Sequence, residues 1–225
     1  MNKNVLIVVP AYNEGKSITA VIEEIRQKIP EYDFVVVSDG SSDDTVAICR
    51  NLNVSVLDLP VNLGLSGAFG CGMKYAYKKG YDTVVQIDGD GQHDPVFVLD
   101  MVKKMAETDC NIVIGSRYLE NTKPTTKLRG FGGKIITVLI KVKTGVTIKD
   151  PTSGMRLYDR KVIEMFQKDD FCEPEPHTLA YLLKNGFKIE EIPVTLRTRE
   201  SGKSYLNGIK ATRYMFRVCL SIILV

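Results

Sequence analysis

The sequence predicts an α/β domain: a mostly parallel sheet with helices on both faces. Three observations lead there. Short apolar runs recur through the first half of the chain, at residues 5–9, 34–37, 54–57, 83–87 and 112–114, and read as strands buried on both faces rather than alternating ones. Segments of helical spacing lie between them, which is the pattern of a sheet covered by helices. Polar stretches, most containing glycine, follow the runs, and in such sheets ligands bind beyond the carboxyl ends of the strands. With 225 residues, 44% of them hydrophobic, the chain can bury a full core as one large domain.

The elements follow in order. Residues 5–9 form the first strand. Ile18, Val21, Ile22, Ile25 and Ile29 recur at helical spacing after Ser17, and residues 34–37 form the second strand, ending at Asp39. A helix is expected over 45–52, a strand over 54–57, a helix over 67–79 and a strand over 83–87. Residues 95–107 read as a helix with Pro95 in its first turn, followed by a strand at 112–114. Residues 64–70, Gly-Leu-Ser-Gly-Ala-Phe-Gly, are rich in glycine but do not follow the first strand, and no Gly-Lys-Ser/Thr closes them, so they read as a tight helix entry rather than a dinucleotide or phosphate loop.

Composition narrows the function. Cys49, Cys71, Cys110, Cys172 and Cys219 show no C-x-x-C spacing, which points to reduced thiols rather than a disulfide framework or a zinc site. The apolar run at 5–9 is too short for a signal core, and no run is long enough to span a bilayer, so the chain is expected to start its life in the cytosol. The net charge of +3 hides two cationic segments on an acidic body. Residues 123–149 carry seven basic and no acidic residues; residues 197–217 carry six basic and one acidic. Such segments seek a phosphorylated substrate or an anionic bilayer; nucleic acid is not expected, because no binding module accompanies the charge.

The chemistry gathers at the strand ends. Asp88-Gly89-Asp90-Gly91-Gln92-His93-Asp94 follows the fourth strand, and residues two apart on extended backbone share a face, so Asp88 and Asp90 can converge on one hard divalent cation. Gln92 adds a neutral oxygen. Pro10-Ala11-Tyr12-Asn13-Glu14, Asp39-Gly40-Ser41-Ser42-Asp43-Asp44 and residues 62–67 follow the first three strands, and four loops of this kind on one crevice favour a nucleotide pocket.

Taken with Gly115-Ser116-Arg117-Tyr118 and Asp150-Pro151-Thr152-Ser153-Gly154-Met155-Arg156, these motifs resemble, in order and spacing over roughly residues 4–207, the family 2 glycosyltransferases of the Rossmann-like GT-A fold. Within that family the chain is most similar to the dolichol- and polyprenyl-phosphate sugar transferases, and Phe171-Cys172-Glu173-Pro174-Glu175-Pro176-His177 resembles an element of a bacterial cell-envelope subgroup. The resemblance implies that Pro10, Tyr12 and Glu14 wall the nucleotide and reach its ribose, and that Asp39 accepts from the base edge. Ala11, Asn13, Gly64, Asp88 and Gly89 complete the donor set. It implies further that Asp88, Asp90 and Gln92 hold Mg²⁺ or Mn²⁺ against the donor diphosphate and that Arg117 binds phosphate oxygens. Arg129, Ser153, Arg199 and Lys203, with Ser204, match positions used for the acceptor phosphate and a mobile acceptor loop. Ser38 stands where many relatives carry a second aspartate; a UDP-sugar is favoured over a GDP-sugar.

An inverting transfer needs a nucleophile opposite the leaving diphosphate. A sugar hydroxyl calls for a carboxylate base, and Glu173 and Glu175 are the candidates; a lipid phosphate is already ionised and needs only positioning. The cationic segments favour the phosphate, so the expected reaction is metal-dependent transfer of a hexose to polyprenyl (undecaprenyl) phosphate. Transfer to a saccharide hydroxyl and an inactive nucleotide-sugar-binding homologue remain the alternatives. His93 is expected to orient the acidic loop or touch the donor rather than ligate metal, and His177 to lie on a helix surface or pack. Residues 1–207 are expected to form the transferase domain, and 208–225 an amphipathic helix. There Lys210, Arg213, Arg217 and Ser221 share one wedge, and Ile209, Met215, Phe216, Val218, Leu220, Ile222 and Ile223 fill the rest. Such a helix suits the cytoplasmic face of the cell membrane as a peripheral contact, a small membrane protein, or packing back on the domain, with residues 135–142 as a second contact. A homo-oligomer is compatible with the sequence.

Overall fold

The computed structural model describes residues 4–119, 127–168, 172–197 and 208–225, with backbone alone over 127–131 and 208–211. Among the described residues there is one sheet of seven strands in the order β3-β2-β1-β4-β6-β5-β7. Its strands are β1 (Val5–Ala11), β2 (Asp33–Ser38), β3 (Val56–Asp58), β4 (Thr83–Gln86), β5 (Ile112–Ser116), β6 (Arg156–Asp159) and β7 (Ile189–Pro193). All neighbouring pairs are parallel except those of β6, which runs antiparallel to both β4 and β5. The expected α/β class and mostly parallel sheet are what the chain forms.

Because successive strand side chains point to opposite faces, each apolar run feeds two cores. On one face, Leu6, Val8, Val35, Val37, Val84 and Tyr158 meet α3 (Gly64–Lys79), α5 (Lys127–Thr144), α6 (Arg160–Lys168), α7 (Pro176–Lys184) and α8 (Gly208–Leu224). On the other, Val5, Ile7, Val9, Val36, Val85 and Leu157 meet α1 (Ile18–Lys28), α2 (Thr45–Asn51) and α4 (Phe97–Thr108). At Gly72 the contact between α3 and β1 is so close that an added Cβ would lie 2.4 Å from Val8 Cγ1.

Element ends differ from expectation where a local bond decides. β1 runs on through Pro10 and Ala11, since the Ala11 carbonyl accepts the Asp39 N–H at 2.8 Å. Pro10 is tolerated because it lies beyond the last regular pair with β4, Val8↔Gln86, and offers that side only its carbonyl, to the Gly89 N–H. The third strand starts two residues late: Val54 gives its N–H to the Cys49 carbonyl and finishes the turn after α2. Helix α3 starts at Gly64 rather than 67. Helix α4 starts at Phe97, two residues after Pro95, because a turn held by the Asp94 carboxylate on the Val96 N–H comes first. The five cysteines are free thiols.

Candidate active site

The loops after β1, β2, the segment following β3, and β4 are tied to one another by side chains. Asn13 Oδ1 accepts the Ser42 N–H at 2.8 Å, and the Asn13 N–H reaches Ser41 Oγ at 3.1 Å. Thr45 Oγ1 accepts from the Glu14 N–H and Asp43 from the Gly15 N–H, each at 2.9 Å. Ser17 Oγ lies 2.8 Å from Glu14 Oε2 and 2.8 Å from the Gly89 carbonyl, joining the first loop to the acidic one. Asp39 is buried, and its Oδ1 accepts the Leu63 N–H at 2.7 Å, joining the second loop to the third. Tyr12, by contrast, is 47% exposed, on the loop that follows β1. Pro10 and Ala11 back the acidic loop: Pro10 O accepts the Gly89 N–H, and a Cβ added at Gly89 would lie 3.1 Å from Pro10 O and 3.2 Å from Ala11 Cβ. Gly64, at a φ of 77°, opens α3 beside this crevice.

Asp88 and Asp90 follow β4 and are half-buried. Asp88 Oδ1 accepts from Gln86 Nε2 at 2.8 Å, and the Asp88 N–H donates to His93 Nδ1 at 3.2 Å, which leaves the ring proton on Nε2. His93, 5% exposed, is thus bonded to the backbone of its own loop. Asp90 Oδ1 accepts the Gln92 N–H at 3.1 Å across the turn that Gly91, at a φ of 76°, makes possible. Gln92 gives Nε2 to the Arg197 carbonyl at 3.1 Å, so its Oε1 is the end left for a cation. Among the described residues no group of three His, Cys, Asp or Glu could hold a metal alone. Two carboxylates and an amide oxygen suit a hard ion that takes its other ligands from phosphate and water, which is the habit of Mg²⁺.

Arg117 follows β5, and its Nε–Nη2 edge is taken. Nε lies 2.6 Å from Asp150 Oδ2, and Nη2 lies 2.7 Å from Asp150 Oδ1 and 2.9 Å from Thr152 Oγ1. Burial alone would lower its pKa; the Asp150 carboxylate outweighs that and raises it. The guanidinium edge suited to a bidentate contact is therefore already given to Asp150, and Nη1 is what Arg117 offers the phosphate oxygens it is expected to bind. Ser153 is also corrected. It is buried with its hydroxyl donated to the Gly115 carbonyl at 2.6 Å, so it holds its loop rather than facing an acceptor. Buried Arg156 completes that hold through the Ser153, Pro151 and Glu175 carbonyls. Arg199, Lys203 and Ser204 lie outside the described residues. The backbone of Arg129 is in α5, and its side chain lies outside them too.

Glu173 and Glu175, the candidate bases, are both tied to α8. Tyr214 donates to Glu175 Oε2 at 2.5 Å, and Arg217 Nη2 lies 3.8 Å from Glu173 Oε2. Burial, then the Glu175 carboxylate, push the Tyr214 hydroxyl pKa up. Asp150, Thr152, Glu175 and Tyr214 escaped the sequence reading as partners, because each pairing joins residues far apart in the chain.

Arg197 fastens the segment before residue 198 onto the acidic loop. It bonds Glu24 at 2.8 Å and Asp94 at 2.5 Å, while Lys28 bonds both carboxylates. Burial works to raise the Glu24 and Asp94 pKa values, but the hydrogen bonds from Arg197 and Lys28 win and lower both. A lowered carboxylate pKa contributes stability that is full above the unfolded value, 4.5 for Glu24 and 3.8 for Asp94, and is lost as pH falls through the folded values. Melts across about pH 7 to 3 are therefore expected to show a flat midpoint that drops below about pH 4, with a shallower drop in Arg197→Ala. Identical acid limbs in the two proteins would mean that the cluster contributes nothing.

The glycosyl transferase family 2 model matches residues 6–166. Polyprenol monophosphomannose synthase of Mycolicibacterium smegmatis is 28% identical over 95% of this chain and 84% of its own. Undecaprenyl-phosphate mannosyltransferase of Micrococcus luteus is 29% identical over 91% and 88%. Among solved structures, glucosyl-3-phosphoglycerate synthase from Mycobacterium tuberculosis, in complex with Mn²⁺, UDP and phosphoglyceric acid, superposes with a TM-score of 0.72 at 18% identity, covering 99% of this chain and 78% of that one. The fold is thereby the expected GT-A fold.

Proposed function

The chain belongs to glycosyl transferase family 2, and from that membership we propose that it moves a hexose, with inversion, from a nucleotide sugar to polyprenyl phosphate at the cytoplasmic face of the membrane. The observation that carries the acceptor is the state of Glu173 and Glu175. Glu175 holds the half-buried Tyr214 hydroxyl at 2.5 Å, which makes it a poor general base, and Glu173, 38% exposed, faces the Arg217 guanidinium at 3.8 Å on the same helix. An ionised lipid phosphate needs none. The names of the relatives, polyprenol and undecaprenyl-phosphate transferases, support the same acceptor.

In this reading Tyr12 covers the nucleoside and Asp39 takes a base N–H on the oxygen that Leu63 leaves. Uracil presents one N–H on its pairing edge, which suits a single carboxylate and favours UDP over GDP. Asp88, Asp90 and Gln92 hold Mg²⁺ or Mn²⁺, whose bound charge supplies Lewis-acid neutralisation of the leaving diphosphate. Arg117 Nη1 gives a fixed donor to phosphate oxygen. A lipid phosphate oxygen forms the new bond to the anomeric carbon as the bond to the diphosphate breaks, and the nucleoside diphosphate departs with that electron pair. Arg129, Arg199 and Lys203, from the two cationic segments, are the residues assigned to the acceptor phosphate.

The test is transfer of label from UDP- and GDP-sugars to undecaprenyl phosphate in detergent with Mg²⁺ or Mn²⁺. A solvent-extractable product is expected, kept within about threefold in Glu173→Gln and Glu175→Gln. Turnover only with an added saccharide, lost in either variant, would move the acceptor to a hydroxyl.

The boundary at residue 207 is proposed functionally, since α8 packs back on the domain through buried Val218 and Ile222 against α5 and α7. No described helix is long and apolar enough to cross a membrane. Yet α8 keeps Phe216, Leu220, Ile223 and Leu224 exposed, and its partner α5 keeps Val138 and Val142 exposed. With Lys134, Lys141, Arg213 and Arg217 on the same two helices, these stripes suit an anionic bilayer surface. Phe216→Ser with Val142→Ser is expected to reduce co-sedimentation with anionic vesicles about tenfold. Unchanged sedimentation would reject the contact.

A further inference from the structure

Arg117 is held by a carboxylate that is itself held from the edge of the sheet. Asp150 is fully buried and spends its oxygens on Arg117 Nε and Nη2, the Arg117 N–H at 3.0 Å and Thr152 Oγ1. The backbone that carries Asp150 is gripped by Glu191 of β7. Oε1 accepts the Asp150 N–H at 2.8 Å, and Oε2 accepts the Lys149 N–H at 2.7 Å. Glu191 sits opposite Ile114 in the β5–β7 ladder, two residues short of the strand end from which Arg117 departs. One ladder thus fixes both ends of the relay, Glu191 at one and Arg117 at the other. The Arg117 side chain remains 27% exposed, with Nη1 outside the pair, whereas the Asp150 side chain is 0% exposed.

We propose that Glu191 and Asp150 are positioning residues that aim Arg117 Nη1 at a phosphate oxygen of the reacting pair, a role that rests on the function proposed above. A guanidinium on a three-carbon stem has many rotamers. Asp150 fixes its planar fork, and Glu191 fixes the backbone that carries Asp150, so that freedom is removed before substrate arrives. Asp150 also balances the charge, so Arg117 acts as an aimed donor rather than as a bare cation that would trap the leaving diphosphate. The relay predicts that loosening the backbone at 149–150 misaims Arg117 without touching the donor loops, which are tied together elsewhere.

The experiment compares wild type, Glu191→Gln and Glu191→Ala in two measurements. The first is the kcat and the separate donor and acceptor KM of transfer to undecaprenyl phosphate. The second is solvent exchange of the Arg117 Nε–H, assigned by its absence from Arg117→Lys. In Glu191→Ala, kcat is expected to fall about tenfold or more with donor KM within about twofold, and exchange to quicken about tenfold. Glu191→Gln, which keeps one acceptor, is expected between the two and covers the case in which alanine unfolds the edge. Wild-type kcat and wild-type protection in both variants would overturn the relay. A wild type that transfers nothing to polyprenyl phosphate would defeat the proposed function instead, and the exchange rates would then decide the positioning by themselves.

Discussion

Asp90→Ala is expected to lower sugar transfer about a thousandfold, because several kcal/mol of charge stabilisation on the leaving diphosphate go with the cation it helps to hold. Asp90 is a cleaner probe than Asp88. Removing the Asp88 carboxylate would strip buried Gln86 of the acceptor for its Nε2, in an amide whose Oε1 already lacks a partner, and folding would suffer along with binding. Asp90 is half-buried, and the bonds that join Asp88 to Gln86 and to His93 do not run through its carboxylate. Binding of free Mn²⁺ in the presence of UDP, followed by its paramagnetic resonance, should weaken in step with the rate, while the thermal midpoint stays near wild type. Transfer within tenfold of wild type, or full activity after chelation, would remove the metal from the mechanism.

The first half of this molecule was legible because its strands are continuous apolar runs and its loops are polar, so that each boundary coincides with a change of pattern. The second half was not. β6 is four residues long and opens on Arg156, a charge that reads as surface and is in fact buried among three carbonyls. Nothing local says that this strand enters between β4 and β5 and reverses the sheet's direction. The site divides in the same way. Asp39, Asp88, Asp90 and Gln92 stand at strand ends the sequence announces, whereas what each atom of Arg117 does depends on Asp150, 33 residues away, and on Glu191 on the far edge. Glu173 and Glu175 show the same limit: an exposed helix start and a tie to α8 look alike until Tyr214 is placed.

Gly154→Val is expected to lower transfer about a hundredfold and to weaken Mn²⁺ binding in the presence of UDP in parallel, with Gly154→Ala intermediate. The cause is space. A Cβ at Gly154 would lie 3.1 Å from Asp88 Oδ2, 3.5 Å from His93 Cε1 and 3.7 Å from Gln86 Nε2. Alanine asks the neighbours to give by a few tenths of an ångström; the branched methyls of valine ask for more than a carboxylate anchored by Gln86 can give. The loop cannot retreat to make room, since Ser153 is fixed to the Gly115 carbonyl and Arg156 grips the carbonyls of Pro151 and Ser153. The strain therefore goes into the Asp88 rotamer. Normal Mn²⁺ binding by a folded Gly154→Val protein would show that Asp88 has more freedom than this packing allows, and that the loop before β6 plays no part in presenting it.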